Sequence, residues 1–407
     1  MVLASEEKGH DYCLIQPFFY EKQQPNYIFC YILLLLSHYI IWDQIWLVFA
    51  YIDGQVGYSE EFIENSRGMQ LLTCKWFPVN QEPRALIFFC HGYAIDCSTT
   101  FKGIYIYIYI YIYIYIYIYI YIYIYIYIYH SRYASIEENE EQIGECELYL
   151  ADVASKFAKE GFGVYGIEYE GHGRSGGLNV YIDDFDLLIN DVYSHFSKIA
   201  EMGENPKKKK FLMGESMGGA VVLLLHRKKP EFWEGAILIA PMCKIAEEMK
   251  PPKPVISMMN LVIHLIPSWK SILPGPDIIN LAIKQPHKRQ EIKDNPNCYI
   301  GRPRMKTMSE LFRVSLDLEN RLHEVTMPFI VLHGEDDKVT DKEASKLLYE
   351  VASSNDKTLK LYPEMWHSLL FGEPLEKSEI VFNDIVQWME TRINTLQVNA
   401  NNKRELY

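Results

Sequence analysis

The chain has 407 residues, 49% of them hydrophobic, and a formal net charge of −13. That length suits one catalytic domain with additions, and the apolar share supplies a large buried core. The acidic balance excludes a nucleic-acid binder, because phosphate binding needs clustered Lys and Arg. The one basic run, Lys207 to Lys210, reads as a solvated loop. Eight scattered cysteines without a CxxC pair suit reduced thiols in a cytosolic protein better than disulfides or zinc. Nothing asks for a metal or another cofactor, and no secretory signal is expected in the mixed, polar first 26 residues.

Two segments differ from the rest. Residues 27–52 (YIFCYILLLLSHYIIWDQIWLVFAYI) are long enough to cross a bilayer as a helix. Asp43 lies inside them, where a charge costs about 2.5–3.5 kcal/mol near the membrane centre. A non-native insertion such as translated intron is therefore the favoured reading, with a membrane anchor or a buried or interfacial segment as alternatives. Residues 104–129 alternate Ile and Tyr without a break. As one strand they would run about 86 Å, several times the usual length, with both faces apolar or aromatic. Because ATATAT read in frame encodes Ile-Tyr repeats, this tract and its acidic flank to residue 150 read as a microsatellite. The expected organisation is an atypical extension over 1–57 and a catalytic domain over 58–395 interrupted by 104–150. A cap at about 244–304 and a polar tail over 396–407 complete it.

The remaining chain alternates strands and helices. RALIFFC (84–90), GVYGIEY (163–169), a short run from Lys210 to Gly214, GAILIAP (235–241), PFIVLH (328–333) and TLKLY (358–362) are continuous apolar strands. Helical patterns fall at 152–160, 182–199, 217–226, 341–353 and 376–395. Together they predict an α/β fold, a mostly parallel central sheet with helices on both faces. The Pro-, Met- and Ile-rich stretch 244–304 breaks the rhythm and reads as a helical cap inserted between strands.

Gly214-Glu215-Ser216-Met217-Gly218 fits G-x-S-x-G between a strand and a small-residue helix start, the setting that pattern requires. Glycines at 214 and 218 avoid collision as the helix crosses back over the strand, and the helix amino end favours developing negative charge. Ser216 is the expected nucleophile. It needs a base, and His367, in the loop PEMWHSLL after the last strand, is best placed. His195, His226 and His264 fall on helical patterns and read as packing or surface residues. A carboxylate must orient the imidazole, and Asp336 and Asp337 both end the strand FIVLHGEDD; spacing does not choose between them. The oxyanion needs two backbone N–H donors, expected from Met217 and Tyr93, with Gly92 letting the loop turn and His91 in a structural role.

These residues resemble the plant monoacylglycerol lipase and caffeoylshikimate esterase group, α/β-hydrolases with a serine aminopeptidase S33-like domain. The stretches that carry the likeness include FFCHGYAIDCS, YGIEYEGHGRSGGL, FLMGESMGGAVVLLLHRKKP, FIVLHGEDDKVTDKEAS and KTLKLYPEMWHSLLFGEP, within 58–103 and 151–392. The resemblance implies Asp337 as the acid, a structural GHGRS loop that removes His172 as base, and a lid over an acyl tunnel that includes Ile256, Met259, Ile263 and Trp269. The Ile-Tyr tract departs from the pattern, since it follows the oxyanion loop and would sit where it could displace Tyr93.

The leading expectation is hydrolysis of monoacylglycerol to fatty acid and glycerol by a cytoplasmic enzyme with a small ester or lipid substrate and, at most, peripheral membrane contact. Esterase action on caffeoylshikimate and lysophospholipid hydrolysis are alternatives. From other classes, His91 and Asp96 form an H-x4-D pair, a spacing associated with acyltransferases, and a non-catalytic α/β-hydrolase-fold binding protein would keep the same motifs.

Overall fold

The computed structural model describes residues 55–97, 153–244, 263, 266–271 and 277–404, with side chains to 394. The apolar segment 27–52, the tract 104–150, Ile256, Met259 and His264 lie outside the described residues. Among the described residues no helix is long and apolar enough to cross a membrane.

Among these residues one sheet runs in the order β1-β2-β4-β3-β5-β6-β7-β8. Its strands are β1 (Val56–Glu64), β2 (Gln70–Pro78), β3 (Ala85–Cys90), β4 (Phe162–Ile167), β5 (Lys209–Glu215), β6 (Gly235–Ile239), β7 (Phe329–Gly334) and β8 (Lys357–Tyr362). The six from β4 to β8 in that order pair in parallel. Every residue of β3, β4, β6 and β7 is buried, as strands covered on both faces must be.

The helices are α1 (Val153–Lys159), α2 (Phe185–Ala200), α3 (Met217–Lys228), α4 (Ile278–Ala282), α5 (Pro286–Asp294), α6 (Met305–Arg321), α7 (Lys342–Val351) and α8 (Leu375–Arg404). Side chains from α2, α3, α6 and α7 join Leu86, Phe88, Leu212, Leu238 and Val331 in one core. Strand neighbours of those residues point the other way. There Phe211 meets Trp388 of α8, and Phe157 of α1 packs on Phe382 with ring centroids 4.7 Å apart.

The antiparallel hairpin β1–β2 is absent from the sequence reading. Its first strand carries Glu60, Glu61 and Glu64 on a partly solvated edge, so it lacks a continuous apolar run. A turn signal was present: the Asn65 side chain accepts hydrogen bonds from the amides of Arg67 and Met69, and Gly68 takes a φ of 77°. The solvated-loop reading of Lys207–Lys210 also needs correction. Lys209 and Lys210 open β5, and the Lys208 and Lys210 side chains are largely covered beside Glu82 and Glu234. Lysine stems bury readily while the ammonium finds a partner at the rim.

Candidate active site

Ser216 follows β5 at the point where the chain reverses into α3, with φ 57° and ψ −120°. A non-glycine residue rarely holds this conformation, at a cost of about 1–3 kcal/mol, unless its surroundings enforce it. Here they do. The Ser216 amide donates to the Ile239 carbonyl at 3.0 Å, and its own carbonyl accepts from the amides of Gly219 at 3.0 Å and Met242 at 2.9 Å. The flanking glycines make the reversal sterically possible. A Cβ at Gly218 would overlap the carbonyl oxygen of Cys90, and one at Gly214 would overlap the carbonyl of Gly218. Met217 is the first residue of α3, where helix amides lack an intrahelical acceptor and carry partial positive charge.

The loop after β3 comes to the same place. A Cβ on Gly92 would lie 3.6 Å from the Cβ of Ser216, so the Gly92-Tyr93 peptide adjoins the candidate nucleophile. The turning role expected of Gly92 falls instead on Ala94, which has φ 64°, whereas Gly92 stays outside the left-handed region. His91 is fully buried. Its Nε2 accepts from the Tyr169 amide at 3.3 Å, its Nδ1 lies 2.8 Å from the Gly92 carbonyl, and its ring stacks on Tyr169. Burial, then the neighbouring His172, push its pKa down to about 3, against the Gly92 hydrogen bond. With both nitrogens committed to backbone, His91 is not available as a base. His172 is likewise buried and neutral, and its pKa is lowered by burial to about 4. His195 is buried, and His226 is buried with its Nε2 accepting from the Thr326 amide.

Asp337 and His367 meet on the loops after β7 and β8. Nδ1–H of His367 donates to Oδ2 of Asp337 at 2.7 Å. An ionised carboxylate can only accept, so this contact puts the imidazole proton on Nδ1 and leaves Nε2 as the basic nitrogen. Asp336 is exposed, while the Asp337 side chain has no exposed surface, which separates the two aspartates by environment.

Asp337 is held by more than its histidine. Oδ1 accepts from the amides of Val339 at 2.7 Å and Thr340 at 3.2 Å. Oδ2 also accepts from Nε2 of His333 at 3.0 Å and lies 2.9 Å from the Thr340 hydroxyl. His333 is fully buried, and its Nδ1 is 2.7 Å from the hydroxyl of Ser345, the donor that lets Nε2 carry the proton. Burial alone would raise the pKa of Asp337. The charge of His367 and the hydrogen bonds from both histidines overcome that and hold the carboxyl well below the usual range. For His367 burial works to lower the pKa, yet the charge and hydrogen bond of Asp337, then the charge of Glu215, raise it above its ordinary value.

His333, Thr340 and Ser345 escaped the sequence reading. The available signal was the four-residue offset of His333 from Asp337 across the end of one strand. Of the lid residues, Ile263 is buried beside Met305 and Met308, and Trp269 is 61% exposed. The cap segment around α4 and α5 packs Ala282, Ile283, Ile292 and Cys298 against Ile95, Val339 and Phe371. Those three residues come from the loops of Gly92, Asp337 and His367. The described cysteines, Cys74, Cys90, Cys97, Cys243 and Cys298, are buried free thiols. Among the described residues no group of three or more His, Cys, Asp or Glu is placed to hold a metal.

A strained serine at a strand-to-helix reversal, a carboxylate-imidazole pair and a parallel sheet define an α/β-hydrolase fold, and comparison with known proteins agrees. The family described as "Serine aminopeptidase, S33" matches residues 143–374. Caffeoylshikimate esterase of Arabidopsis thaliana is 32% identical, covering 82% of this chain and 86% of that protein. Monoglyceride lipase of Homo sapiens is 30% identical over 57% of this chain and 74% of its own. A soluble variant of Saccharomyces cerevisiae monoglyceride lipase, solved with a substrate analog, superposes with a TM-score of 0.62 at 18% identity, covering 82% of this chain and 94% of that one. The class is that of α/β-hydrolases whose matched relatives are ester hydrolases. The chain belongs to the serine aminopeptidase S33 family.

The hydrogen bonds at Asp337 carry a testable consequence. His333→Leu removes a buried donor to a charged acceptor and should destabilise the fold by about 1.5–3 kcal/mol. A urea unfolding midpoint equal to that of the parent chain would contradict that reading of His333.

Proposed function

We propose that the chain is a serine ester hydrolase in which Ser216 is the nucleophile, His367 the general base and Asp337 the orienting acid. The observation that carries the reading is the buried 2.7 Å contact from Nδ1 of His367 to Asp337, with Ser368, next to His367, bonded to Glu215, next to the strained Ser216. Nε2 of His367 takes the Ser216 proton as Oγ attacks the ester carbonyl. The amides of Tyr93 and Met217 receive the developing oxyanion. The protonated His367 then returns its proton to the leaving alcohol, giving an acyl-enzyme. Water, deprotonated by the same nitrogen, releases the acid and restores Ser216. Asp337, ionised throughout, stabilises the imidazolium that forms in each half.

Within that chemistry the substrate read as foremost is monoacylglycerol, supported by the named activity of the human and yeast relatives. The cap, with Ile256, Met259, Ile263 and Trp269, would give the acyl chain apolar contact worth about 0.8 kcal/mol per buried CH₂. A caffeoylshikimate ester is the second reading, favoured by a relative of that activity matching most of both chains. The acyltransferase reading loses its base, because both nitrogens of His91 face backbone groups. The segments 1–57 and 104–150 are read as additions to the catalytic domain.

Three measurements test this. Ser216→Ala should lower turnover by about 10⁴-fold or more, and a fluorophosphonate should label Ser216 alone; labelling of the alanine variant would remove Ser216 as nucleophile. Activity should rise with pH as His367 loses its proton, with a midpoint above the ordinary imidazole value of about 6.5. The sign follows from the raised pKa of the free base. A midpoint below 6 would contradict the assignment. Finally, kcat/KM across monoacylglycerols, lysophospholipids and caffeoylshikimate, with and without residues 104–150, should be highest for monoacylglycerol; a preference for caffeoylshikimate would replace the leading substrate with the second.

A further inference from the structure

The first variable position of G-x-S-x-G is a carboxylic acid in this chain, and it is buried. Glu215 ends β5 with 4% of its surface exposed, directly before Ser216. Its Oε1 accepts from the hydroxyl of Ser368 at 2.9 Å. Ser368, itself buried, is the residue directly after His367. One hydrogen bond thus joins the neighbour of the proposed nucleophile to the neighbour of the proposed base, across 153 residues of sequence. The Ser368 amide is fixed from the other side, donating to the Ala282 carbonyl of the cap at 3.1 Å.

A buried carboxyl is costly, and an amide would accept the same hydrogen bond without a charge to desolvate. Burial raises the pKa of Glu215; of the titratable groups that face it, His367, on the loop after β8, favours its ionised form together with the Ser368 hydrogen bond, and Asp337, on the loop after β7, opposes it. His367 can carry the compensating positive charge. We propose that Glu215 is a positioning residue: through Ser368 its carboxylate ties the histidine loop to the nucleophile turn, and its charge joins that of Asp337 in stabilising imidazolium at His367. The tether acts on geometry and the charge acts on proton affinity, so the two parts separate experimentally. Glu215 acts on His367 through Ser368 and through its charge. The inference rests on the serine-hydrolase reading of Ser216 and His367.

The test is the rate of fluorophosphonate labelling of the full chain between pH 5 and 9, which requires no knowledge of the natural ester. Ser368→Ala removes the tether and leaves the carboxyl. It should slow labelling at the plateau roughly 10- to 100-fold, the scale of a reacting group displaced by about 1 Å, and Ser368→Thr should restore most of the rate. Glu215→Gln keeps an acceptor for Ser368 and removes the charge. With less negative charge beside the imidazole, the neutral base forms more readily, so the acid limb should move to lower pH. A structural role alone would leave that limb in place. Labelling of Ser368→Ala at the parent rate, or an unmoved acid limb in Glu215→Gln, overturns the proposal. Should Ser368→Ala fail to fold, the limb in Glu215→Gln decides alone. If Ser216→Ala is also labelled, the hydrolase reading itself has failed; if labelling needs Ser216 and only the Glu215 and Ser368 variants match the parent, this inference alone falls.

Discussion

The helix after β5 must pass back across the ends of β5 and β3, and it does so with Gly218 pressed against the Cys90 carbonyl. No side chain fits between them. That contact fixes where α3 begins, and so it fixes the backbone of Ser216 in a conformation that three hydrogen bonds then hold. Because Cys90 is the last residue of β3, the same contact brings the loop that follows it, with Gly92 and Tyr93, against the serine. A single steric requirement thereby positions both the proposed nucleophile and one proposed oxyanion donor. Packing supplies the energy: Met217, Ala220, Val221 and Leu225 are wholly buried in the core beneath, and large apolar burial of this kind can sustain a residue strained by a few kcal/mol.

The second half of the site is governed by charge. Asp337 would be a poor anion in so buried a place were it not for a ring of donors, comprising two backbone amides, two histidines and the Thr340 hydroxyl. Such saturation keeps the carboxylate ionised and immobile. It also sorts the histidines. His333 accepts from Ser345 at Nδ1 and so turns Nε2–H to Asp337, whereas His367 has its second nitrogen free of this network. A buried anion with a fixed acceptor geometry thus determines the imidazole tautomer, and the tautomer determines which nitrogen is basic.

Much of this architecture was legible in the sequence because parallel strands buried on both faces must be continuous apolar runs. RALIFFC, GVYGIEY, GAILIAP and PFIVLH are such runs, and each lies at or within a residue or two of its strand. The hairpin β1–β2 was not legible in that way. A half-solvated antiparallel edge alternates, and its glutamates broke the pattern the eye follows. Ser216 could be singled out because a strained turn demands glycines at fixed offsets. Asp337 could not be separated from Asp336 by spacing, since the difference is environmental: one side chain is enclosed and its neighbour faces solvent. Glu215 and Ser368 could not be paired at all, because nothing local in a sequence announces a hydrogen bond between residues so far apart.

The Ile-Tyr tract begins seven residues beyond Cys97, and whether it could displace Tyr93 depends on what anchors the loop before it. The anchors are many and independent. His91 is stacked on Tyr169 and bonded to its amide. The Ala94 carbonyl accepts from the Tyr299 amide at 2.8 Å, Ile95 packs against the cap cluster, and Asp96 and Cys97 are fully buried. The upstream side is covalently continuous with β3, at the centre of the sheet. Pulling Tyr93 from the serine would break several of these contacts at once. The contacts that hold this loop therefore belong to residues that precede the tract, between the end of β3 and Cys97.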